Sequence, residues 1–94
     1  MMIQSFRDEV TKEVFEGRSP RRFPANLLAA TRRKLFQLDA AVVVEDMRAP
    51  PGNRLEALKG DRDGQWSVRV NDQYRVCFVW GPQGPELVEF VDYH

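Results

Sequence analysis

The sequence has very little of what builds disulfides, metal centres or membrane anchors. It contains one cysteine, Cys77, and one histidine, His94, so an intrachain disulfide is impossible and a structural zinc site is not expected. No uninterrupted apolar run exceeds five residues, which is too short for a membrane span or a secretion signal. Positive and negative side chains cancel, 14 against 14. These absences predict a cytoplasmic protein without a metal, a cofactor or a membrane partner.

What is present fits one small folded domain covering residues 1–94. The chain of 94 residues is 43% hydrophobic and 30% charged, as expected of a soluble globular protein rather than a disordered one. Its length allows one modest hydrophobic core. Large barrels and deep clefts between two lobes are excluded.

The balanced charge conceals a strongly basic segment. Between Gly17 and Leu38 there are six basic residues and no acid, so this segment carries +6 and the rest of the chain −6. The six are Arg18, Arg21, Arg22, Arg32, Arg33 and Lys34. Such asymmetry favours an anionic partner, either phosphate groups or an acidic protein segment. However, three consecutive basic residues point in different directions on a helix, so a solvated helix surface is an equally good interpretation.

The first half of the sequence predicts helices. Residues 2–7 fit a short edge strand, and residues 10–16 have apolar side chains at helical spacing before a stop at Gly17. A second helix is predicted from Pro24 to about Asp39, because its apolar positions share one face. Those positions are Leu27, Leu28, Thr31, Leu35 and Leu38. A short turn or helix follows over residues 44–47, and the Pro-Pro-Gly-Asn run at 50–53 ends it.

The second half of the sequence changes to the alternating period of strands. Residues 55–59 form a candidate strand, and residues 66–71, 74–80 and 86–93 form three more, joined by short turns. Consecutive strands with short turns predict an antiparallel meander. The predicted fold class is therefore α+β, with the N-terminal helices packed on one face of a mainly antiparallel, twisted sheet.

Five residues could bring chemistry to this fold. His94 has the only side chain whose ordinary pKa lies near neutrality. Strand alternation places Asp92 on the same face of the last predicted strand as His94, and Tyr93 on the opposite face. Lys59 and Arg75 are the candidates for holding a phosphate group. Each has a plainer interpretation, because terminal residues fray and long basic side chains often cover sheets.

The whole chain resembles the HigB-type toxins, close to their GraT-like branch, within the RelE/ParE superfamily. The resemblance depends on Ile3-Gln4-Ser5-Phe6, Phe15-Glu16-Gly17, the segment PPGNRLEALKGDRDGQWSVRVNDQYRVCF from Pro50 to Phe78, and the closing Asp92-Tyr93-His94. These landmarks occur here in the family's order and in a chain of the family's length. The resemblance implies a small RelE-like fold.

The resemblance also implies an activity and its partners. It implies a metal-independent endoribonuclease that cuts mRNA in the A site of the 70S ribosome, contacts rRNA there, and is neutralised by a HigA-like helix-turn-helix antitoxin. Operator DNA would be reached only through that antitoxin. The family's active residues correspond to Asp92, Tyr93, His94, Lys59 and Arg75 in this sequence. Glu56 stands where some relatives have a functional histidine, so it is a weaker catalytic candidate.

Binding to RNA or the ribosome is expected from the basic segment and from Arg54. The expected contacts are Arg18, Arg21, Arg22, Arg32, Arg33, Lys34 and Arg54. Two other functions stay open at the level of sequence. One is a ParE-like toxin that binds and inhibits a target such as DNA gyrase without cutting RNA, and the other is a small interaction protein whose basic helix serves a partner.

Overall fold

Two helices precede the sheet. The computed structural model describes residues 1–93 and places α1 at Glu9–Phe15 and α2 at Leu28–Ala40. The carboxylate of Asp8 caps α1 by accepting the Thr11 backbone N–H at 2.8 Å, which satisfies one of the free N–H groups of the first turn. Gly17 follows α1 with φ of +95°, so the predicted stop is confirmed. No helix among the described residues has the length and apolar character needed to cross a membrane.

Four antiparallel strands complete the fold. They are β1 (Glu56–Ala57), β2 (Trp66–Arg69), β3 (Tyr74–Gly81) and β4 (Gly84–Asp92), and their order in the sheet follows their order in the chain. The predicted α+β class with an antiparallel meander is confirmed. The candidate strand at 55–59 was predicted too long, because a left-handed residue at 54 and a tight turn at 60–62 leave only two residues in the ladder.

The first residues run along the outer edge of β4. Residues 4–7, here called the N-terminal strap, lie parallel to β4 with a single bridge between Phe6 and Val88. The backbone N–H of Gln4 donates to the Pro85 carbonyl at 2.7 Å, and that of Arg7 donates to the Val88 carbonyl at 2.9 Å. The edge strand predicted over residues 2–7 is thus reduced to a single bridge, but the strap still lies along part of the sheet edge.

The helices and one face of the sheet enclose the core. Leu35 and Leu38 of α2 and Val14 of α1 are completely buried, as the shared apolar face predicted. They pack on alternate residues of the strands, namely Val68, Val76, Phe78 and Val88. The opposite face, which the helices do not cover, is called the open face below.

Asn53 holds the connection between α2 and β1. Its side chain is fully buried, and its amide donates to the Met47 carbonyl at 3.0 Å and to the Gln37 side-chain oxygen at 3.1 Å. Its own side-chain oxygen accepts a hydrogen bond from Lys34. These contacts fix the backbone where it enters the open face at Arg54.

Candidate active site

One row of side chains crosses all four strands on the open face. The strand register pairs Glu56 with Ser67, Ser67 with Cys77, and Cys77 with Glu89. Ser67 and Cys77 are 0% exposed although no helix covers them. Longer charged side chains therefore cover the middle of this face.

Arg75 is the best-anchored of these charged side chains. Its Nε donates to the Ser67 hydroxyl at 2.7 Å, and its Nη2 donates to the Arg54 carbonyl at 2.7 Å. Its guanidinium carbon lies 5.9 Å from the centre of the Tyr93 ring, within the range of a cation–π contact. The structure thus brings together two residues that the sequence predicted for the site.

The end of β4 is folded against the sheet as far as Tyr93. The Tyr93 backbone N–H donates to the Gln73 carbonyl at 2.8 Å, and the Gln73 amide donates to Asp92 Oδ2 at 3.0 Å. Tyr93 lines a shallow pocket of about 310 Å³ together with Glu56, Ala57, Leu58 and Lys59. His94 lies outside the described residues.

Asp92 lies on the other side of the strand from Tyr93. The register pairs Asp92 with Tyr74 and Val91 with Arg75. Because side chains alternate along a strand, Tyr93 shares the open face with Arg75, whereas Asp92 lies toward the face of Tyr74. The predicted alternation between Asp92 and Tyr93 is therefore present, and Asp92 is separated from the pocket that Tyr93 lines.

Glu89, which the sequence analysis did not select, joins two arginines at the open face. The residue is 9% exposed. Its carboxylate accepts a hydrogen bond from Arg62 Nη1 at 3.1 Å and forms an ion pair with Arg7, whose Nε lies 3.0 Å away. The hydrogen bond to Glu89 is the main reason that the pKa of Arg62 is raised above its ordinary value. Strand alternation from Tyr93 back through Val91 could have placed Glu89 on this face, but not identified its partners.

Cys77 lies beneath this charged layer. Burial is the main cause that raises the pKa of its thiol above the ordinary value, so the thiol stays protonated and has little nucleophilic character. Among residues 1–93, no group of three His, Cys, Asp or Glu side chains is arranged to hold a metal ion.

The basic segment does not form one continuous patch. Arg32 donates to the carbonyls of Val14 at 2.9 Å and Arg18 at 3.0 Å, so it ties α2 to the end of α1. Lys34 donates to Asn53, and its pKa is lowered, chiefly by burial and then by the nearby Arg33 and Arg69. Two of the six predicted contacts thus stabilise the fold.

The other members of the segment are more accessible. Arg18 is exposed and forms ion pairs with Glu13 and Glu16. Arg21, Arg22 and Arg33 are exposed. Arg54 is also exposed, but it lies with Arg75 at the open face. The predicted cationic surface is therefore divided between the helical side and the open face.

Comparison with known proteins connects this geometry to a family. Residues 4–94 match the sequence model described as the RelE-like toxin of type II toxin–antitoxin system HigB. Toxin HigB-1 of Vibrio cholerae serotype O1 is 40% identical over 94 residues, covering 99% of this chain and 98% of that protein. Endoribonuclease HigB of Proteus vulgaris is 29% identical over 93 residues, covering 99% and 100%.

A solved structure shows the same fold. The YoeB/ParE toxin from Agrobacterium tumefaciens superposes with a TM-score of 0.57 at 20% sequence identity, over 100% of both chains. These findings do not test the GraT-like branch, which stays a prediction. The family match covers nearly the whole chain, including the strands that carry the pocket. The chain therefore belongs to the HigB-like toxins, the RelE-like toxins of type II toxin–antitoxin systems.

Proposed function

We propose that this toxin is an endoribonuclease that enters the ribosomal A site and cuts mRNA during translation, which stops protein synthesis and growth. The observation that carries the proposal is the meeting of Tyr93, Lys59 and Glu56 at one pocket, with Arg75 against the Tyr93 ring. Aromatic and cationic side chains at a shallow open pocket suit a single RNA strand. The similarity to a Proteus vulgaris protein named as an endoribonuclease supports the same activity.

The proposed reaction uses a nucleophile that RNA itself provides. The ribose 2′-oxygen attacks the adjacent phosphorus while a base removes its proton. The bond to the 5′-oxygen breaks as an acid protonates that oxygen, leaving a 2′,3′-cyclic phosphate and a 5′-hydroxyl end. The protein needs to position the RNA, transfer two protons and balance the extra negative charge of the transition state. No metal ion has a role in this scheme.

The candidate residues divide these tasks. Lys59 and Arg75 balance charge at the scissile phosphate, because ammonium and guanidinium groups are its natural partners. Tyr93 donates a hydrogen bond or stacks on a base. The proposal gives proton transfer to His94. Asp92, although its side chain lies on the other face of β4 from the pocket, is proposed to orient His94 or to share the role of base. Glu56 lies at the same pocket and is the weaker candidate for proton transfer.

The proposed partners are the 70S ribosome and a HigA-like antitoxin. Membership of a type II toxin family implies an antitoxin protein. We assign contact with rRNA or the antitoxin first to Arg21, Arg22 and Arg33, because they are exposed and, unlike Arg18, form no ion pair with another described residue. The proposed surface also includes Arg18, Arg32 and Lys34, with lower priority. Arg54 flanks the RNA at the open face. Operator DNA is reached only through the antitoxin.

Primer extension on an mRNA translated in a bacterial extract tests the activity. We expect new 5′ ends within the coding region when the toxin is added and none when translation is blocked beforehand. A toxin that stops growth yet leaves no new ends would instead be a ParE-like inhibitor of a target such as gyrase. In that case supercoiling by purified gyrase should fall in its presence.

The variant His94→Ala tests the proposed proton transfer. A general acid or base contributes about 10²- to 10⁴-fold to a rate, so we expect cleavage to slow by about that factor. We expect the urea midpoint to stay unchanged, because the buried core described for residues 1–93 is formed by side chains between Val14 and Val88. Cleavage at the wild-type rate would remove His94 from the mechanism.

A further inference from the structure

The anchoring of Arg75 differs from that of an ordinary surface arginine. Its Nε and Nη2 both point into the protein, toward the Ser67 hydroxyl and the Arg54 carbonyl, each at 2.7 Å. Nη2 also lies 3.4 Å from the Ser67 carbonyl. None of these bonds uses Nη1. One edge of the planar guanidinium is thus fixed, and its plane is held beside the Tyr93 ring.

The side chain of Ser67 is buried, so its hydroxyl needs a hydrogen-bond partner within the protein. The residue is 0% exposed, and burying an unbonded hydroxyl is unfavourable. The hairpin pairs Ser67 with Cys77 and Arg69 with Arg75, which makes Ser67 and Arg75 diagonal neighbours on the same face. The charge-assisted bond from Arg75 satisfies the hydroxyl, and in return it fixes the arginine.

The Arg54 backbone supplies the second contact from an unusual conformation. Arg54 is left-handed, with φ of 46° and ψ of 55°, a region that residues other than glycine rarely adopt. Its N–H donates to the Pro51 carbonyl at 3.1 Å, so the turn is closed while the carbonyl accepts from Arg75. Strained backbone of this kind persists where surrounding contacts hold it in place.

We propose that Ser67, together with the Arg54 carbonyl, is a positioning residue that holds Arg75 in the orientation needed to receive the scissile phosphate of RNA. This inference rests on the proposed nuclease function. Donors that are already oriented before the charge develops stabilise a transition state more than donors that must reorganise. Ser67 itself stays beneath Arg75 and does not contact the RNA.

A double-mutant cycle separates positioning from general structural damage. A hydrogen bond to a charged group corresponds to about a 10- to 100-fold effect on rate, so Ser67→Ala should lower kcat by about that factor and leave KM within about twofold. In the Arg75→Met background, the same change should slow cleavage by less than about twofold. Equal slowing in both backgrounds, or no slowing in the wild type, would overturn the proposal.

Thr31→Val is the matched control. It also removes a buried hydroxyl, but Thr31 lies in α2, and its hydroxyl has no hydrogen-bond partner among the described residues. We expect its cleavage rate to equal that of the wild type. If Thr31→Val slowed cleavage as much as Ser67→Ala, the effect would report loss of core packing and would count against positioning.

A second measurement tests the anchor without cleavage. In NMR spectra of ¹⁵N-labelled protein, the Arg75 Nε–H should exchange with water at least about tenfold faster in Ser67→Ala than in the wild type, because its buried acceptor is gone. Unchanged exchange would overturn the anchor itself. If exchange were faster in Ser67→Ala but the wild-type protein cut no mRNA, the proposed function would be overturned and the anchor would stand.

Discussion

The two faces of the sheet belong to the same strands but differ in character, because one is apolar and the other is polar. On the covered face, Val68, Val76 and Phe78 are completely buried against the helices. On the open face, Ser67 and Cys77 lie in one row that ends at Glu56 and Glu89. Arg75 reaches over this row and donates to the Ser67 hydroxyl. One face is stabilised by removing apolar surface from water, and the other by matching each buried polar group to a partner.

This difference separates stability from chemistry. The covered face tolerates few changes of volume, because core side chains are close-packed. The open face keeps a buried carboxylate, Glu89, only because Arg7 and Arg62 neutralise it. Substitutions on the covered face should therefore unfold the protein, whereas substitutions at the pocket should leave a folded and inactive one.

The largest effect is expected from Phe78→Ala on the covered face. Phe78 is among the largest fully buried side chains, and truncating such a residue lowers the free energy of unfolding by about 3–5 kcal/mol. Urea denaturation followed by circular dichroism measures the loss. Cys77→Ala, the neighbour on the open face, is the control and should cost only about 1 kcal/mol. Equal losses would show that both faces serve as core.

Lys59→Met should lower activity and leave stability nearly unchanged, the reverse of Phe78→Ala. Removing one cation that balances transition-state charge typically lowers kcat by about 10²- to 10³-fold, while an exposed position changes the free energy of unfolding by less than about 0.5 kcal/mol. Lys12→Met removes an exposed lysine from α1 and should cut mRNA at the wild-type rate. If the two variants were equally active, Lys59 would have no place in the site.

The smallest effect on stability is expected from a change at Asp46, on the helical side of the molecule. Its Oδ2 accepts the N–H groups of Val42 at 2.8 Å and Val43 at 3.2 Å. The Val42 bond and then the Val43 bond lower the pKa of Asp46 below its ordinary value. Because the folded pKa is below the unfolded one, this stabilisation is complete above pH 3.8 and is lost as the pH falls through the folded pKa.

The variant Asp46→Asn tests this dependence of stability on pH. The wild-type urea midpoint should exceed that of the variant at pH 7, and the two should converge as the pH falls through the folded pKa of Asp46 and the wild-type carboxyl becomes neutral. Glu45→Gln removes one negative charge from the same turn and controls for net charge. A gap between wild type and Asp46→Asn that stays constant with pH would contradict the assignment.

The helices and the meander were predictable because the spacing of apolar residues in the sequence indicates them directly. The shared face of α2 and the alternation of β2 and β3 follow from which side chains avoid water. Such patterns assign a residue to a face, and so Tyr93 was correctly separated from Asp92. The juxtaposition of Lys59, Arg75 and Tyr93 was reached only through resemblance to a family.

The partners of individual polar side chains were not predictable. Ser67 has the pattern of an outward polar residue, but it is buried because the hairpin register brings Arg75 over it. Arg32 and Lys34 have the pattern of a binding surface, yet each donates to an oxygen from a distant part of the chain. Turn geometry and the path of the loops decide which polar side chains meet, and the periodicity of one strand or helix does not determine either of them.

The N-terminal strap has a consequence for how other proteins recognise this toxin. By bonding to Pro85 and Val88, it occupies backbone groups of β4 that an incoming strand would need. At the opposite border, β1 offers only two residues. Few backbone groups at these positions are therefore open to pairing with another chain, so we expect recognition of this toxin to depend on side chains, whose identity can diverge between one toxin and the next.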